Sequence, residues 1–166
     1  MTYFKPAENK KDYKAISGLA KNIWTEHYTP IIGIDQVNYM LEKFQSKEAI
    51  GHQILNNNYA YFTIINNNIP LGYLAIKKET DAVFLSKIYI MKSYRGQGFG
   101  KISMDFIEEQ ATHSNCSKIY LTVNKYNTNS IKAYQKIGFI KTEELVIDIG
   151  NGYVMDDYKM EKALLN

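Results

Sequence analysis

Three glycines alternate within one short stretch, Arg95-Gly96-Gln97-Gly98-Phe99-Gly100-Lys101. Residues 83–90 before it are rich in β-branched and aromatic side chains, which predicts a strand. Apolar residues after it recur at helical spacing, at Phe99, Ile102, Phe106 and Ile107. Glycine leaves backbone N–H groups unblocked, and the start of a helix carries partial positive charge. The stretch therefore predicts a strand–turn–helix unit that binds pyrophosphate, with Arg95 and Lys101 adding charge.

The rest of the chain alternates between helical and strand patterns. Residues 3–5 predict a first strand, and apolar spacing then predicts three helices, the first containing Ile16, Leu19, Ala20, Ile23 and Trp24. We expect Asp35 to cap the second helix and Ser46 to cap the third. Strands are predicted at residues 59–65, 70–76, 83–90, 118–123, 140–149 and 153–160, with helices after the glycine stretch and at residues 128–137.

This order predicts a mixed α/β fold with one sheet covered by helices. Two of the strand pairs are separated by short turn sequences, Asn66-Asn67-Asn68 and Gly150-Asn151-Gly152, which are typical of antiparallel hairpins. A length of 166 residues suits one domain over residues 1–166.

The amino-acid composition limits which partners and which cellular compartment we expect for this protein. The chain is 45% hydrophobic and 22% charged, so it can form a packed core. Its net charge of +3 is too small and too evenly spread to predict nucleic-acid binding. The single cysteine, Cys116, excludes an intramolecular disulfide. With no signal-like or membrane-spanning apolar run, we expect a cytoplasmic protein without membrane contact.

Two common phosphate-binding motifs do not match the glycine stretch. A P-loop needs four residues between its first glycine and Gly-Lys-Ser/Thr, but three separate Gly96 from Gly100, and Ile102 replaces the hydroxyl residue. The dinucleotide fingerprint needs two residues before its last glycine, but one separates Gly98 from Gly100. An isolated glycine-rich turn that merely reverses the chain is the remaining alternative.

Arg95, Gly98 and Gly100 match the pattern Arg/Gln-x-x-Gly-x-Gly/Ala, which resembles the coenzyme A-binding loop of the Gcn5-related N-acetyltransferases (GNAT). The resemblance implies acetyl-CoA as cosubstrate, bound by residues 95–101. It implies a mostly antiparallel sheet of about seven strands with helices on both faces. It also implies that the strand Ile88-Tyr89-Ile90 pairs its backbone with the pantetheine arm and supplies the N–H that stabilises the oxyanion.

A second segment tests this resemblance independently. Asn127, Ser130, Tyr134, Gly138 and Phe139 resemble the family pattern Asn-x-x-Ala/Ser-x-x-x-Tyr-x-x-x-Gly-Phe. The resemblance implies that Asn127 and Ser130 lie at the cofactor and that the Tyr134 hydroxyl protonates the departing thiolate. From the residues alone, Asn127 can be a helix cap and Tyr134 a half-buried core aromatic.

The chain departs from many relatives where they carry a glutamate before the glycine loop, since Phe84, Ser86 and Lys87 occupy that stretch. The general base therefore stays open among four side chains and a water relay. The side chains are His27, Glu26, Asp156 and Asp157. Cys116 has no histidine near it in sequence, so direct transfer is favoured over an acetyl-cysteine intermediate.

The acceptor is expected to be a small primary amine, because the element order resembles bacterial members that act on small amines, including polyamines. A pocket lined by Trp24, His27 and Tyr28 is one interpretation of the first helix, although Trp24 alone is more typical of a core. The alternatives are a protein or peptide acetyltransferase and a non-catalytic CoA-binding domain. A homodimer is possible, and no metal is expected.

Overall fold

The computed structural model describes residues 1–165. Over these residues it contains seven strands, five α-helices and a short 3-10 helix at Lys92–Tyr94. The strands are β1 Thr2–Pro6, β2 Tyr59–Asn66, β3 Ile69–Lys78, β4 Ala82–Ile90, β5 Lys118–Asn124, β6 Ile140–Gly150 and β7 Tyr153–Ala163. The helices are α1 Lys10–Ile32, α2 Ile34–Gln45, α3 Lys47–Asn56, α4 Phe99–His113 and α5 Thr128–Lys136.

The seven strands form one sheet in the order β1-β2-β3-β4-β5-β7-β6. Its one parallel pair is β4 with β5, where the register runs from Ala82 opposite Lys118 to Phe84 opposite Tyr120. The predicted mixed α/β fold with a mostly antiparallel seven-stranded sheet is confirmed. Both predicted hairpins form, and Asn67 and Asn68 between β2 and β3 have φ of 50° and 64°.

The chain forms two compact units, one of residues 1–77 and 87–107, and the other of residues 78–86 together with the chain from Glu108 onward. The first contains β1, β2, the three N-terminal helices and the glycine stretch. The second contains β5, β7, β6 and α5. Within residues 1–165, no helix is long and apolar enough to span a membrane.

Two buried tyrosines organise the first unit. Tyr61 of β2 and Tyr73 of β3 are almost fully buried, and their rings stack with centroids 6.4 Å apart. The Tyr73 hydroxyl donates to Gln45 Oε1 at 2.7 Å, and the Tyr61 hydroxyl donates to Gln53 Oε1 at 2.5 Å. Burial raises the pKa of both phenols, so they remain neutral donors. These bonds tie α2 and α3 to the strands.

The caps of the N-terminal helices are partly as predicted. Ser46 caps α3, because its hydroxyl accepts the Ala49 N–H at 3.1 Å. The prediction for Asp35 is wrong, since α2 begins at Ile34 with Gly33 as its N-cap. Gly33 has φ of 83°, which suits glycine, and it ends α1 and starts α2 without an intervening loop. Asp35 instead lies in the first turn, where its charge favours the helix dipole.

The buried face of α4 differs from the predicted one, because Ile102 is exposed and Met104, which was not predicted there, is buried. Met104 and Ile107 are 3% and 0% exposed, whereas Ile102 is 41% exposed. Phe106 is half-buried and stacks on Phe4 of β1 at 4.2 Å. Ile102 was expected on the apolar face because it precedes Phe106 by four residues. Helical spacing alone does not fix how far an apolar face extends around a helix.

The second unit is built on β7, which pairs with both β5 and β6. Gly138 follows α5 with φ of 106°, as expected for a glycine just past a helix. Cys116 lies in the connection from α4 to β5, as the sequence indicated, and is 1% exposed. A buried thiol with 1% exposure is poorly placed for nucleophilic attack.

Candidate cofactor and acceptor site

The glycine stretch has a backbone that only glycine adopts readily at two positions. Gly96 and Gly98 have φ of 74° and 89°. Two side chains brace the turn. Arg95 Nε donates to the Ile90 carbonyl at the end of β4 at 2.9 Å, and Gln97 Nε2 donates to the Ser93 carbonyl in the 3-10 helix at 3.0 Å. The turn is therefore held to the strand end Ile88–Ile90, and Arg95 uses one of its five donors for this.

Helix α4 starts directly on the turn. Its first intrahelical bond runs from the Ile102 N–H to the Gly98 carbonyl at 3.1 Å. Helix geometry leaves the N–H groups of Phe99 and Gly100 without an intrahelical acceptor, and the helix dipole adds partial positive charge. An anionic phosphate suits this position.

Gly100 tests whether a ligand fits here. Its φ lies outside the left-handed region, and a Cβ added to it meets no heavy atom within 4 Å. Neither backbone strain nor a neighbouring protein atom therefore requires glycine. Open space over exposed N–H groups fits a diphosphate that approaches the backbone closely. Lys101, predicted to add charge, pairs with Asp105 at 2.8 Å, and because both are exposed the pair is easily broken.

Helix α5 carries the second predicted segment. Asn127 precedes it and is 5% exposed, and the Ile131 N–H donates to its carbonyl at 3.1 Å. The expected side-chain cap is wrong, because the Asn127 side chain makes no capping bond in the described chain. The side-chain amide of Asn127 therefore does not have the helix-capping role that the sequence suggested. Ser130 and Tyr134 follow within the helix and are half-buried, and the Tyr134 ring meets Phe139 edge-on at 5.7 Å.

The end of β4 faces an aromatic cluster from α1. The Tyr89 and Tyr28 hydroxyls share a hydrogen bond of 2.9 Å. Both rings lie edge-on to Trp24, with centroids 5.5 and 5.6 Å away. Trp24 is 2% exposed, which confirms it as a core residue, whereas Tyr28 and Tyr89 are half-buried. The sequence indicated Tyr28 as a pocket residue but did not indicate that Tyr89 would be its partner.

The four candidates for the general base differ in their surroundings. Glu26 lies 3.7 Å from Lys92, and Asp156 lies 2.8 Å from Lys125, so each carboxylate has a cationic partner. Asp157 is 3% exposed. His27 is half-buried and meets the Tyr28 ring edge-on at 4.8 Å, at the border of the aromatic cluster.

The stretch that replaces the glutamate of many relatives is occupied by packing residues. Phe84 stacks on Tyr120 at 4.9 Å, and the Lys87 ammonium lies 6.0 Å from the centroid of the Trp24 ring. No carboxylate stands at these positions. Within residues 1–165, no group of three or more His, Cys, Asp or Glu side chains is arranged to hold a metal ion.

The sequence matches the model of the acetyltransferase (GNAT) family over residues 21–139. The match spans both the glycine stretch and α5. The chain therefore belongs to the GNAT family of acetyltransferases. It is an acetyl-CoA-dependent N-acetyltransferase, with acetyl-CoA as its cosubstrate.

The individual relatives are all N-acetyltransferases, but their names give different acceptors. The chain is 23% identical to an uncharacterized N-acetyltransferase of Lactobacillus delbrueckii subsp. lactis, over 95% of each chain. It is 36% identical to a probable spermine N(1)-acetyltransferase of Bacillus subtilis subsp. natto, over 38% of this chain and 42% of the relative. It is 23% identical to an aminoglycoside N(6')-acetyltransferase of Salmonella enteritidis, over 83% of this chain and 92% of the relative.

Among solved structures, the PaiA N-acetyltransferase of Thermoplasma acidophilum in complex with coenzyme A has the same fold. The TM-score is 0.78 at 17% identity, and the alignment covers 98% of this chain and 99% of the other. At this level of identity the likeness shows the fold, and the roles of individual residues have to be argued from the chain itself.

Proposed function

We propose that the chain transfers the acetyl group of acetyl-CoA directly to the primary amine of a small molecule, with a polyamine as the leading acceptor. The observation that supports this proposal most directly is the hydrogen bond between the Tyr28 and Tyr89 hydroxyls. Tyr89 belongs to the strand end that is assigned to the cofactor. Phenol oxygens accept hydrogen bonds from an ammonium group, and aromatic faces attract its charge. The spermine acetyltransferase among the relatives supports this choice.

Cofactor binding is assigned to two segments of the first unit. The N–H groups of Phe99 and Gly100 and the exposed charges of Arg95 and Lys101 bind the diphosphate. Gly96, Gln97 and Gly98 shape the turn that presents those N–H groups. The backbone of Ile88, Tyr89 and Ile90 binds the pantetheine arm and stabilises the oxyanion. When bound, acetyl-CoA supplies the electrophilic thioester carbonyl.

Departure of the thiol is assigned to α5. The Tyr134 hydroxyl is the general acid and donates its proton to the leaving sulfur. Ser130 lies one turn earlier on the same helix, and Asn127 just before the helix. The Asn127 amide, which does not cap the helix, contacts the cofactor. These three residues stand at the spacing of the family's second cofactor segment.

Proton removal from the amine is assigned to His27, through the Tyr28 hydroxyl or a water. His27 is chosen because its ring meets the Tyr28 ring edge-on at 4.8 Å, at the border of the aromatic cluster in the first unit. Histidine is the commonest general base, because a ring nitrogen of imidazole can accept a proton.

The acceptor is tested by measuring release of free CoA thiol from acetyl-CoA with spermine, spermidine, an aminoglycoside, amino acids and short peptides. We expect the highest kcat/KM with a polyamine. Tyr28→Phe should raise the KM for that amine several-fold, because the ring stays and the hydroxyl is lost. Tyr3→Phe, at a tyrosine that is 43% exposed on β1, is the matched control and should leave KM unchanged.

Each outcome of the screen bears on the proposal. Higher kcat/KM with peptides than with any small amine would replace the small-molecule proposal with a protein or peptide acceptor. An amine KM that is the same in Tyr28→Phe and in the original chain would remove the tyrosine pair from the acceptor site.

A further inference from the structure

Gly72 in β3 has no room for a side chain. A Cβ added to it lies 2.2 Å from the Tyr89 carbonyl oxygen, 3.0 Å from Ile90 Cα and 3.1 Å from the Tyr89 carbonyl carbon. Its φ lies outside the left-handed region, so conformation is not the reason for glycine. All three close atoms belong to the backbone of β4, which cannot rotate away as a flexible side chain can. Space alone therefore requires glycine at this position.

The neighbouring residue Leu71 is a β-bulge. The register of β2 with β3 changes from Ile64 opposite Gly72 to Ile65 opposite Pro70, which leaves Leu71 as the extra residue on β3. Its carbonyl accepts the Met91 N–H at 2.8 Å, one residue beyond the end of β4. A bulge bends its strand and re-aims the residues beside it. The bulge and Gly72 thus hold β3 against β4 where β4 ends and the glycine turn approaches.

The contacted atoms belong to the segment assigned to the pantetheine arm and the oxyanion. We propose that Gly72 is a positioning residue for acetyl transfer: the close approach of β3 at Gly72 fixes the backbone of Tyr89 and Ile90 where the thioester carbonyl is to be polarised. This inference rests on the assignment of Ile88–Ile90 in the proposed function. Gly72 itself contacts β4 and acts on the reaction only through it.

The substitution Gly72→Ala, which adds a methyl group, tests how strongly kcat depends on the position of the Tyr89 and Ile90 backbone. Real Cβ atoms essentially never approach other heavy atoms closer than 3.0 Å, so in Gly72→Ala the backbones of β3 and β4 must separate by about 0.8 Å at this point, the difference between 3.0 and 2.2 Å. Displacements of about 1 Å at a reacting group can lower a rate by about 100-fold. We expect kcat to fall at least about tenfold. We expect the Kd for CoA to change less than about threefold, because the diphosphate turn retains its own bonds.

Gly51→Ala is the matched control. Gly51 is also buried in the first unit, and an added Cβ there meets two atoms of the Tyr13 ring at 3.1 Å. This substitution perturbs packing in α3 without touching β4. We expect Gly72→Ala to lower both Tm and kcat, and Gly51→Ala to leave kcat unchanged. The Met91 amide should also exchange its hydrogen faster in Gly72→Ala, and at an unchanged rate in Gly51→Ala.

Met91→Pro tests the same junction if Gly72→Ala does not fold. Met91 has φ of −56°, which proline adopts, and proline removes the N–H that donates to Leu71. Met91→Ala removes the same side chain and keeps the N–H. We expect a kcat at least about fivefold lower in Met91→Pro than in Met91→Ala.

The results separate this inference from the proposed function. If the original chain does not bind CoA by titration calorimetry, the cofactor assignment fails, and this inference with it. If the original chain binds CoA and acetylates an amine, the positioning role alone is overturned by either of two findings. One is a kcat within twofold of the original in a folded Gly72→Ala variant, and the other is equal kcat in Met91→Pro and Met91→Ala.

Discussion

Gly100→Ala tests whether glycine is required at this position by the fold or by the space that a bound ligand occupies. Gly100 is the second residue of α4, has a φ outside the left-handed region, and has no heavy atom within 4 Å of an added Cβ. Alanine in a helix interior is favoured over glycine by about 0.5–1 kcal/mol. For a chain of this length, 1 kcal/mol corresponds to about 2–4 °C in Tm. Without ligand we therefore expect Gly100→Ala to raise Tm by about 1–4 °C.

The expected effect on binding has the opposite sign. If the diphosphate lies against the Gly100 N–H, the new methyl group occupies part of its space, and we expect the Kd for CoA to rise at least about tenfold, or about 1.4 kcal/mol. At 100 times Kd, CoA stabilises the original chain by about 2.7 kcal/mol, and a tenfold weaker variant gains only about 1.4 kcal/mol at the same concentration. Thermal unfolding with and without CoA, supported by titration calorimetry, measures both quantities.

Gly18→Ala is the matched control, because Gly18 lies within α1, is exposed, and also has no heavy atom within 4 Å of an added Cβ. It should raise Tm similarly and leave the Kd for CoA unchanged. Gly100→Ala with an unchanged Kd would refute the placement of the diphosphate at this helix start. A lower Tm for Gly100→Ala without ligand would refute the reasoning that the space beside Gly100 is open.

Three further substitutions test the assignments at α5 and the hydrogen bonds at the start of α1. Tyr134→Phe should lower kcat about 100-fold with little change in the Kd for CoA. The control is Tyr126→Phe, at a residue that is 70% exposed, and it should leave kcat unchanged. A normal kcat in Tyr134→Phe would exclude the tyrosine as the acid. Asn127→Ala should weaken CoA binding. It should lower the free energy of unfolding by less than the ~1 kcal/mol typical of a lost helix cap, because the Asn127 side chain makes no capping bond in the described chain. A larger loss in urea titrations would contradict this. The pKa of Asp12 is lowered by the Glu8 N–H and by Lys5, so its contribution to stability is present above pH ~4 and lost as pH falls further. The difference in unfolding free energy between the original chain and Asp12→Asn should therefore be constant near pH 6–7 and shrink below pH 4, and a difference independent of pH would count against the bonded carboxylate.

Features that depend on neighbours in sequence were predictable. The Asn67-Asn68 and Asn151-Gly152 turns formed hairpins because their residues tolerate positive φ, as the structure confirms. The mixed α/β sheet followed from the order of helical and strand periods. The positions of Gly98, Gly100, Asn127 and Tyr134 along the chain are enough to indicate the family.

Some local predictions failed where two local signals competed. Asp35 is a good cap residue, but Gly33 two positions earlier breaks the chain more strongly and starts α2 first. Asn127 precedes a helix as a cap does, yet its backbone angles, φ −82° and ψ 64°, differ from the extended conformation in which the side chain accepts the bond. Both errors concern which of several permitted conformations a residue adopts.

By itself, the sequence determined the strand–glycine–helix unit, the hairpin turns and the spacing of the second cofactor segment, because each depends on contacts within a few residues. Only the tertiary structure decided the hydrogen bond between Tyr28 and Tyr89 and the contact of Gly72 with β4, since their partners lie 61 and 17 residues away along the chain. A lone glycine inside a strand pattern is a signal for a bulge or a close backbone approach. It does not show which strand approaches, because that depends on how distant segments pack.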